Sequence, residues 1–325
     1  GKEFMPALDE GSFLYMPTTM PHASISENMD IIGQLDKHVM SIPEIESAVG
    51  KWGRVNSALD PAPISMWENT INYLPEYMVD EDGHKVRFKV NEDDAFIVKD
   101  GTTYKYGQDK FRKIKQEELT PDKKGEYFRQ WRERIKKPDD IWQEIIEHTK
   151  FPGLTSAPKL QPIQTRLIML ATGMRAPMGI KVFGPDLETI EKVGYEFEKI
   201  LQQVPSVSAP TVFADRVVGK PYLEIKLNRQ AMSRYGLTIK DMQMYITTVI
   251  GGTKLTTTVE GRERFPVRMR YAREYRDNPD DIKKILIPTP AGVQVELGEL
   301  ADVTYVRGPQ IIKSEDTFLT SYIIF

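Results

Sequence analysis

The sequence predicts an α+β fold in which one strand–helix–strand unit occurs twice. Two segments carry the repeat: Ile42-Pro43-Glu44-Ile45-Glu46-Ser47 and Val204-Pro205-Ser206-Val207-Ser208-Ala209 share the order aliphatic, proline, any residue, aliphatic, any residue, small. Each follows an apolar strand pattern and an amphipathic helix of similar length. Repetition on this scale, with antiparallel return strands, indicates two α+β sandwiches of the ferredoxin-like type.

The first copy begins with an apolar run at 13–16 that Pro17 closes, which predicts a strand. Ser24 and Glu27 form a capping box. The helix after it carries apolar residues at three- and four-residue steps, which predicts a core-facing stripe of Ile25, Met29, Ile32, Leu35 and Val39. Strands are predicted around 45–49 and over 64–74, where alternation puts Met66 and Glu68 on one face and Trp67 on the other.

Residues 76–140 differ from the rest of the chain in charge. Their 65 positions hold 16 Lys and Arg and 16 Asp and Glu. Apolar runs at 86–90 and 96–98 predict exposed hairpin strands, and a helix is predicted from the stripe Tyr127, Phe128, Trp131 and Ile135. We interpret the segment as an inserted surface subdomain whose charged runs face solvent.

The remaining elements continue the pattern. A helix is predicted from the stripe Ile141, Trp142, Ile145 and Ile146, and a proline-bearing segment leads to 166–169. The second copy has a strand at 179–183, a helix capped by Asp186 and ended by Pro205, and an alternating strand at 222–227. A helical stretch begins at Asn228 or Thr238 and runs to Ile250. Short strands and turns fill 253–308, with a small helix near 279–285.

Composition and motifs exclude several classes of protein. The net charge of −3 leaves no basic footprint for nucleic acid. No cysteine is present, and the 4 histidines lack the spacing of metal ligands, so thiol nucleophiles, iron–sulfur clusters and Cys-zinc sites are excluded. The sequence has no catalytic or phosphate-binding motif. We therefore expect neither an enzyme nor a bound cofactor.

No apolar run reaches the roughly 20 residues that a membrane-spanning helix needs. The chain stops within an apolar strand pattern, at Tyr322-Ile323-Ile324-Phe325. Natural termini are usually polar and loosely held, so we expect this chain to be a piece of a longer one.

The chain is unusually rich in methionine, with 14 residues. Its thioether is soft and neutral, which suits Cu(I) and Ag(I), although most methionines fill gaps in cores. Packing is predicted for four that lie in helical patterns: Met29, Met40, Met242 and Met244. Met16, Met66 and Met169 occur in less regular contexts, and an acidic residue precedes two of them by six positions, at Glu10 and Asp60.

Several motifs resemble the second large periplasmic loop of heavy-metal efflux pumps of the resistance–nodulation–division (RND) superfamily, in particular the copper/silver exporters. The matching stretches cover most of 1–74 and 150–325: Glu3-Phe4-Met5-Pro6, Glu10-Gly11, Leu14-Tyr15-Met16-Pro17-Thr18-Thr19, Asp60-Pro61-Ala62-Pro63, Arg166-Leu167-Ile168-Met169-Leu170-Ala171-Thr172-Gly173, Ala176-Pro177-Met178-Gly179-Ile180-Lys181-Val182, Arg234-Tyr235-Gly236-Leu237-Thr238 and Thr258-Val259-Glu260-Gly261. The segment 76–140 looks longer than its counterpart in the family.

The resemblance implies a division into two porter subdomains and two insertions. The first porter subdomain is expected at 1–75 and 141–178, with the charged insertion at 76–140. A second, truncated porter subdomain is expected at 179–252 and 309–325, with a mixed α/β docking subdomain at 253–308.

The resemblance also implies the residues that handle the ion. Met16, Met66 and Met169 stand where the copper/silver branch carries a three-methionine site. Five charged residues stand on the implied ion path: Glu10, Asp60, Glu68, Arg166 and Arg175. Met20, Met174 and Met178 are close to the three methionines in sequence and could compete as ligands.

The implied protein is a proton-driven exporter of Cu(I) or Ag(I) whose periplasmic loop is this chain. It would work as a homotrimer in the inner membrane with a periplasmic adaptor and an outer-membrane channel. One alternative is an RND exporter of Zn(II), Co(II) or Cd(II), against which the scarcity of histidine argues. Another is a soluble methionine-rich periplasmic metal chaperone. This alternative fails if the codons that follow this chain in the gene encode an apolar run of helix length.

Overall fold

The computed structural model describes residues 8–20, 22–53, 63–106, 112–155, 157–174, 176, 178–309 and 311–325. The strands are β1 (Ser12–Tyr15), β2 (Ile45–Trp52), β3 (Trp67–Tyr73), β4 (Arg87–Phe88), β5 (Phe96–Ile97), β6 (Thr103–Tyr104), β7 (Glu126–Tyr127), β8 (Gly179–Gly184), β9 (Phe213–Ala214), β10 (Val218–Leu227), β11 (Thr253–Glu260), β12 (Glu263–Met269), β13 (Leu286–Pro288), β14 (Gln294–Glu296), β15 (Ala301–Pro309), β16 (Lys313–Glu315) and β17 (Phe318–Ile324). The α-helices are α1 (Ile25–Met40), α2 (Pro138–His148), α3 (Pro162–Thr172), α4 (Leu187–Leu201), α5 (Arg229–Arg234), α6 (Ile239–Ile246), α7 (Pro279–Lys283) and α8 (Leu297–Leu300).

The chain forms two compact units. One comprises Gly1–Val218 and Gln310–Phe325, and the other comprises Gly219–Pro309. The four-part division into porter, docking and charged subdomains stays a prediction, since compactness by itself does not assign such roles.

A strand–helix–strand unit is present twice in the first compact unit. The strand predicted at 222–227 as part of the second copy is wrong in its placement, because it belongs to β10 and pairs with β15 in the other unit. In the first copy β3 lies between β1 and β2 and is antiparallel to both, so that α1 connects two parallel strands. In the second copy β17 lies between β8 and β9 and is antiparallel to both, with α4 as the connection. The central strand of the second copy is thus supplied from the far end of the sequence.

The core of the first copy is aromatic and aliphatic. Phe13 and Tyr15 of β1 pack against Trp142 of α2 in tilted and edge-on arrangements, with ring centroids 5.3 Å and 5.7 Å from that of Trp142. Burial and the hydrogen bond with Thr149 act on the Tyr15 hydroxyl, and burial prevails and raises its pKa to about 12. Helix α1 buries Asn28, Ile31, Leu35 and Val39.

The predicted stripe of α1 is therefore wrong at its first turns, where Ile25 and Met29 are more than half exposed. The polar Asn28 takes their place in the core. Its side-chain oxygen accepts from Thr19 Oγ1 at 2.7 Å and from Trp67 Nε1 at 3.3 Å. A buried amide with such partners is stable inside a core.

The charged segment has a core of its own, built from eight buried residues: Met78, Phe88, Phe96, Val98, Tyr104, Ile114, Leu119 and Phe128. The helix predicted over 127–135 is wrong. Strand β7 ends at Tyr127, and the chain then runs without a helix until Pro138. Phe128 belongs to this small core, whereas Trp131 and Ile135 enter the core of the first copy. The apolar residues spaced like one helix face therefore belong to two separate cores.

The second unit, Gly219–Pro309, is organised around Met242, Leu297 and Leu300, which are fully buried. Strand β10 pairs with β15, and β11 and β12 form an antiparallel hairpin. The predicted helical stretch divides into α5, α6 and a wider π-type turn over Thr247–Gly252. The small helix predicted near 279–285 is α7.

Among the described residues, no helix combines the length and the apolar character needed to cross a membrane.

Candidate functional site

A cleft of about 830 Å³ lies within the first compact unit. One wall consists of the faces of β1, β2 and β3 that point away from their core, together with α3. The opposite wall consists of residues 213, 215–217, 311 and 313, and alternate residues of β17. The two strand–helix–strand copies thus face each other across this cleft.

Strand alternation places Met66 and Glu68 on the cleft wall, as the sequence predicts. Trp67 between them is fully buried in the core, and β3 continues with alternating buried and half-buried residues. Because successive side chains of a strand point to opposite faces, a core position at Trp67 fixes both neighbours on the cleft side.

Helix α3 carries Arg166 and Met169 on its cleft face. Residues three apart are neighbours on a helix surface, so these two side chains belong to one patch. Pro162 occupies the first turn, where its missing N–H costs nothing, and Gly173 ends the helix at φ 75°. The apolar periodicity of this segment is weak, because Ile163, Leu167 and Leu170 are exposed rather than packed.

The residue at the N-cap position of α3, Gln161, does not cap the helix with its side chain. Instead the carboxylate of Glu10 accepts from the backbone N–H of Ile163 at 2.8 Å and of Gln164 at 3.0 Å. Gln161 in turn accepts from the Glu10 N–H at 2.8 Å and donates to the Leu8 carbonyl at 2.7 Å. Glu10, predicted on the ion path, is therefore engaged as a cap of the helix that carries Met169, away from the cleft lining.

Among the residues that the structure describes, four methionines line the cleft: Met20, Met66, Met169 and Met174. Two belong to the predicted three-methionine site, and two were predicted only as competitors. Met16 is 3% exposed and lies outside the lining, although its chain runs beside that of Met66, with Thr18 bridged to Met66. Met178 is 57% exposed and outside the lining.

The other methionines show how far packing could be predicted. Met242 is fully buried as expected. The prediction that Met29, Met40 and Met244 pack in a core is wrong, since these residues are about half exposed, at 57%, 45% and 54%.

Six charged residues of the described chain line the cleft: Lys51, Glu68, Arg166, Asp215, Arg216 and Lys313. Lys51 pairs with Glu68 at 3.5 Å, and Lys313 pairs with Asp215 at 2.6 Å. Arg216 is held by Glu198, which lies behind the wall, at 2.8 Å. Arg166 is exposed and forms no hydrogen bond or ion pair within the described part of the chain. Asp60 and Arg175, also predicted on the ion path, lie outside the described residues.

The pairs of the far wall also set its ionisation. Burial opposes the charge of Glu198, but the hydrogen bonds from Arg216 and from the Ala214 N–H prevail and lower its pKa. Burial, and then the hydrogen bond to the Glu315 carboxylate, raise the pKa of the Tyr322 hydroxyl. At neutral pH the phenol of Tyr322 therefore stays protonated and the carboxylate of Glu198 stays ionised.

Sequence reasoning missed the far wall as a part of the site. The available signal was the alternation in β17, where Thr320, Tyr322 and Ile324 line the cleft while Ile323 enters the core. That alternation could not show that β17 pairs with β8, a strand more than 130 positions earlier.

Comparisons with known proteins agree with this architecture. The profile of the AcrB/AcrD/AcrF family matches residues 118–325. The cation efflux system protein CusA of Escherichia coli K12 is 31% identical over 323 residues, which is 99% of this chain and 26% of CusA. The putative cation efflux system protein SilA of Salmonella typhimurium is 33% identical over the same shares. The cobalt-zinc-cadmium resistance protein CzcA of Cupriavidus metallidurans is 25% identical over 97% of this chain and 25% of CzcA.

A solved structure of a heavy metal efflux pump has the same fold. It superposes with a TM-score of 0.74 at 20% identity, covering 99% of this chain and 27% of that one. The chain thus spans about a quarter of the length of the proteins it matches.

Proposed function

Because this chain belongs to the AcrB/AcrD/AcrF family of the RND superfamily, we propose that it is the periplasmic metal-binding part of a proton-driven pump that exports Cu(I) or Ag(I). The observation that carries the proposal is that Met66 and Met169, far apart in the sequence, line one cleft. Met20 and Met174 line it as well, which concentrates soft donors in one place.

The donor set favours a soft monovalent ion. Thioether sulfur prefers Cu(I), and by the same softness Ag(I), over hard or borderline ions. It has no proton to lose, so binding would survive the acidity that weakens thiolate or imidazole sites. None of the four histidines lines the cleft as described, which disfavours Zn(II), Co(II) or Cd(II).

Met16 is the proposed third ligand. Its backbone runs alongside that of Met66, with the Pro17 carbonyl accepting from the Trp67 N–H at 3.4 Å. Since the Met16 side chain is almost fully buried, capture of an ion by all three sulfurs would require that wall to loosen. Met174, also buried on the wall, is the alternative third ligand.

The rest of the proposed machinery follows the family. The two strand–helix–strand copies would be ferredoxin-like porter subdomains, and residues 253–308 would dock onto partners. Glu68, Asp60 and Arg175 would guide the ion, and opening of the cleft would be coupled to proton flow in the membrane part. The assembly would be an inner-membrane homotrimer with a periplasmic adaptor and an outer-membrane channel.

The experiment is an anaerobic titration of the 325-residue chain with Ag(I), Cu(I) and, separately, Zn(II). We expect one tight monovalent site that is lost in Met66→Leu/Met169→Leu, because leucine matches methionine in volume but offers no donor. Met40→Leu is the matched control, since its thioether is exposed outside the cleft lining. The separate variants Met16→Leu and Met174→Leu then decide the third ligand.

The outcomes separate the cargo classes. Tight binding of Zn(II) without binding of Ag(I) or Cu(I) would overturn the proposal and indicate an exporter of divalent cations. Monovalent binding that persists in Met66→Leu/Met169→Leu would move the site away from these sulfurs. In the full-length pump, the same double variant should abolish silver resistance in cells while Met40→Leu preserves it.

A further inference from the structure

The cleft contains one positive charge that no described residue neutralises. The other five charged residues of its walls each have an ion-pair partner, as given above. The Arg166 guanidinium is exposed on α3 and forms no hydrogen bond or ion pair with any residue of the described ranges. The cleft therefore offers a cation in a place where the proposed cargo is also a cation.

Arg166 is adjacent to the proposed ligands. It precedes Met169 by three positions on one helix, and both side chains line the cleft. The neighbouring Thr165 also lines the cleft, is fully buried, and donates from its hydroxyl to the Gln161 carbonyl at 2.6 Å.

Charge balance makes a bare metal ion a poor match for this arrangement. Thioethers are neutral, so a Cu(I) or Ag(I) ion held by them alone keeps its full positive charge. A guanidinium without a described ion-pair partner on the same helix face repels that charge, whereas an anion bound to the metal would be attracted to both. Soft monovalent ions bind soft monoanions such as halides and thiolates strongly.

We propose that this cleft takes its ion together with a soft monoanionic ligand, a halide or a thiolate, and that Arg166 pairs with that anion while the methionine sulfurs hold the metal. The inference rests on the proposed function and deepens it, because it defines the cargo as a complex rather than a bare cation. A guanidinium suits this role, since it is planar, always charged and weakly hydrated.

The test measures uptake of chloride with silver. The 325-residue chain is titrated with Ag(I) in nitrate buffers of constant ionic strength in which chloride replaces nitrate, and a silver electrode reports free Ag(I), kept below the solubility limit of silver chloride. If a chloride is taken up with the metal, affinity for free Ag(I) rises with chloride, by linkage. We expect the slope of log affinity against log chloride to approach one.

Three variants make the test specific. Arg166→Gln should bring the slope close to zero and tighten binding in nitrate alone, because the repulsion is removed. Arg166→Lys keeps the charge and should keep most of the slope. Arg262→Gln, an exposed arginine of the other compact unit, should leave both quantities unchanged.

Two further arms identify the anion. Silver X-ray absorption in bromide buffer should show a bromine neighbour beside sulfur. N-acetylcysteine in chloride-free buffer tests the thiolate, whose uptake would appear as a ternary complex in native mass spectrometry.

Each result bears on the proposal differently. Ag(I) binding with zero slope in chloride and no ternary complex with the thiol would overturn this inference while the proposed function stands. Anion uptake that persists in Arg166→Gln would overturn the role of Arg166. Absence of Ag(I) and Cu(I) binding in every buffer would overturn both proposals together.

Discussion

The clamp between Glu10 and helix α3 allows a sharp test of what positions Met169. The Glu10 carboxylate accepts from two backbone N–H groups in the first turn of α3, those of Ile163 and Gln164. In turn, the side-chain oxygen of Gln161 accepts from the Glu10 N–H. An acidic residue at a helix N-terminus accepts from N–H donors that would otherwise lack partners and complements the positive end of the helix dipole. We predict that Glu10→Ala locally destabilises α3.

The size of the effect follows from the contacts. Loss of a side-chain cap costs about 0.5–2 kcal/mol, and two charge-assisted bonds from a half-buried carboxylate place this cap at about 2 kcal/mol. Since 1.4 kcal/mol is a factor of ten, amide hydrogen exchange in α3 should accelerate about 30-fold. Glu10→Gln keeps one acceptor oxygen and should cost about half as much.

The assay is hydrogen exchange followed on peptides that span 160–172. Glu46→Gln is the matched control, because Glu46 is exposed and caps no described helix. A double-mutant cycle of Glu10→Ala with Gln161→Ala should give a coupling of about 1 kcal/mol. Exchange in α3 that changes less than twofold in Glu10→Ala would refute the clamp and would indicate that packing of the helix, for example on β1, holds its first turn.

Other contacts carry further predictions. Arg132→Ala should lower the free energy of unfolding in urea by about 3–5 kcal/mol, because it leaves the fully buried carboxylate of Glu44 without this ion-pair partner. A loss below about 1 kcal/mol would contradict this. Glu198→Gln should flatten the pH dependence of stability in acid. The lowered folded pKa of Glu198 means that its contribution is complete above the unfolded value of about 4.3 and is lost as pH falls through the folded value; an unchanged profile from pH 6 to 3 would argue against it. Gly125→Ala should expose the charged insertion to proteases, since an added Cβ would run into the backbone of β4, and it should cost about 1–3 kcal/mol.

Local patterns predicted much of the secondary structure. The capping box at Ser24 and the Asp186 cap both start the helices they were expected to start, with side-chain oxygens accepting from Glu27 and Thr189. Alternation over β3 correctly placed Trp67 in the core and its neighbours opposite. These are signals of sequence neighbours, and they do not depend on partners elsewhere in the chain.

Predictions failed where an apolar residue had more than one core to enter. The spacing from Tyr127 to Ile135 fits a helix, but Phe128 packs in the small core of the insertion and Trp131 in the large one, which the Trp131 indole N–H secures by donating to the Leu74 carbonyl at 2.6 Å. At α1 the buried Asn28 displaced the expected apolar residues, because Thr19 and Trp67 satisfy its amide. The periodicity of apolar residues along the sequence cannot predict such hydrogen-bond partners.

The sequence by itself indicated two strand–helix–strand units, a chain without thiols, and methionine as its abundant soft donor. Only the tertiary structure decided which methionines meet. Met66 reaches the cleft by strand alternation and Met169 by the register of α3, and they share one wall because α3 packs against β1, the neighbour of β3. The facing wall depends on β17, which pairs between β8 and β9 from the far end of the chain. Met16, equal to them as a sequence signal, is turned into the wall, and Arg166 is left without a described partner. Long-range pairing is fixed by the global fold, and no local pattern encodes it.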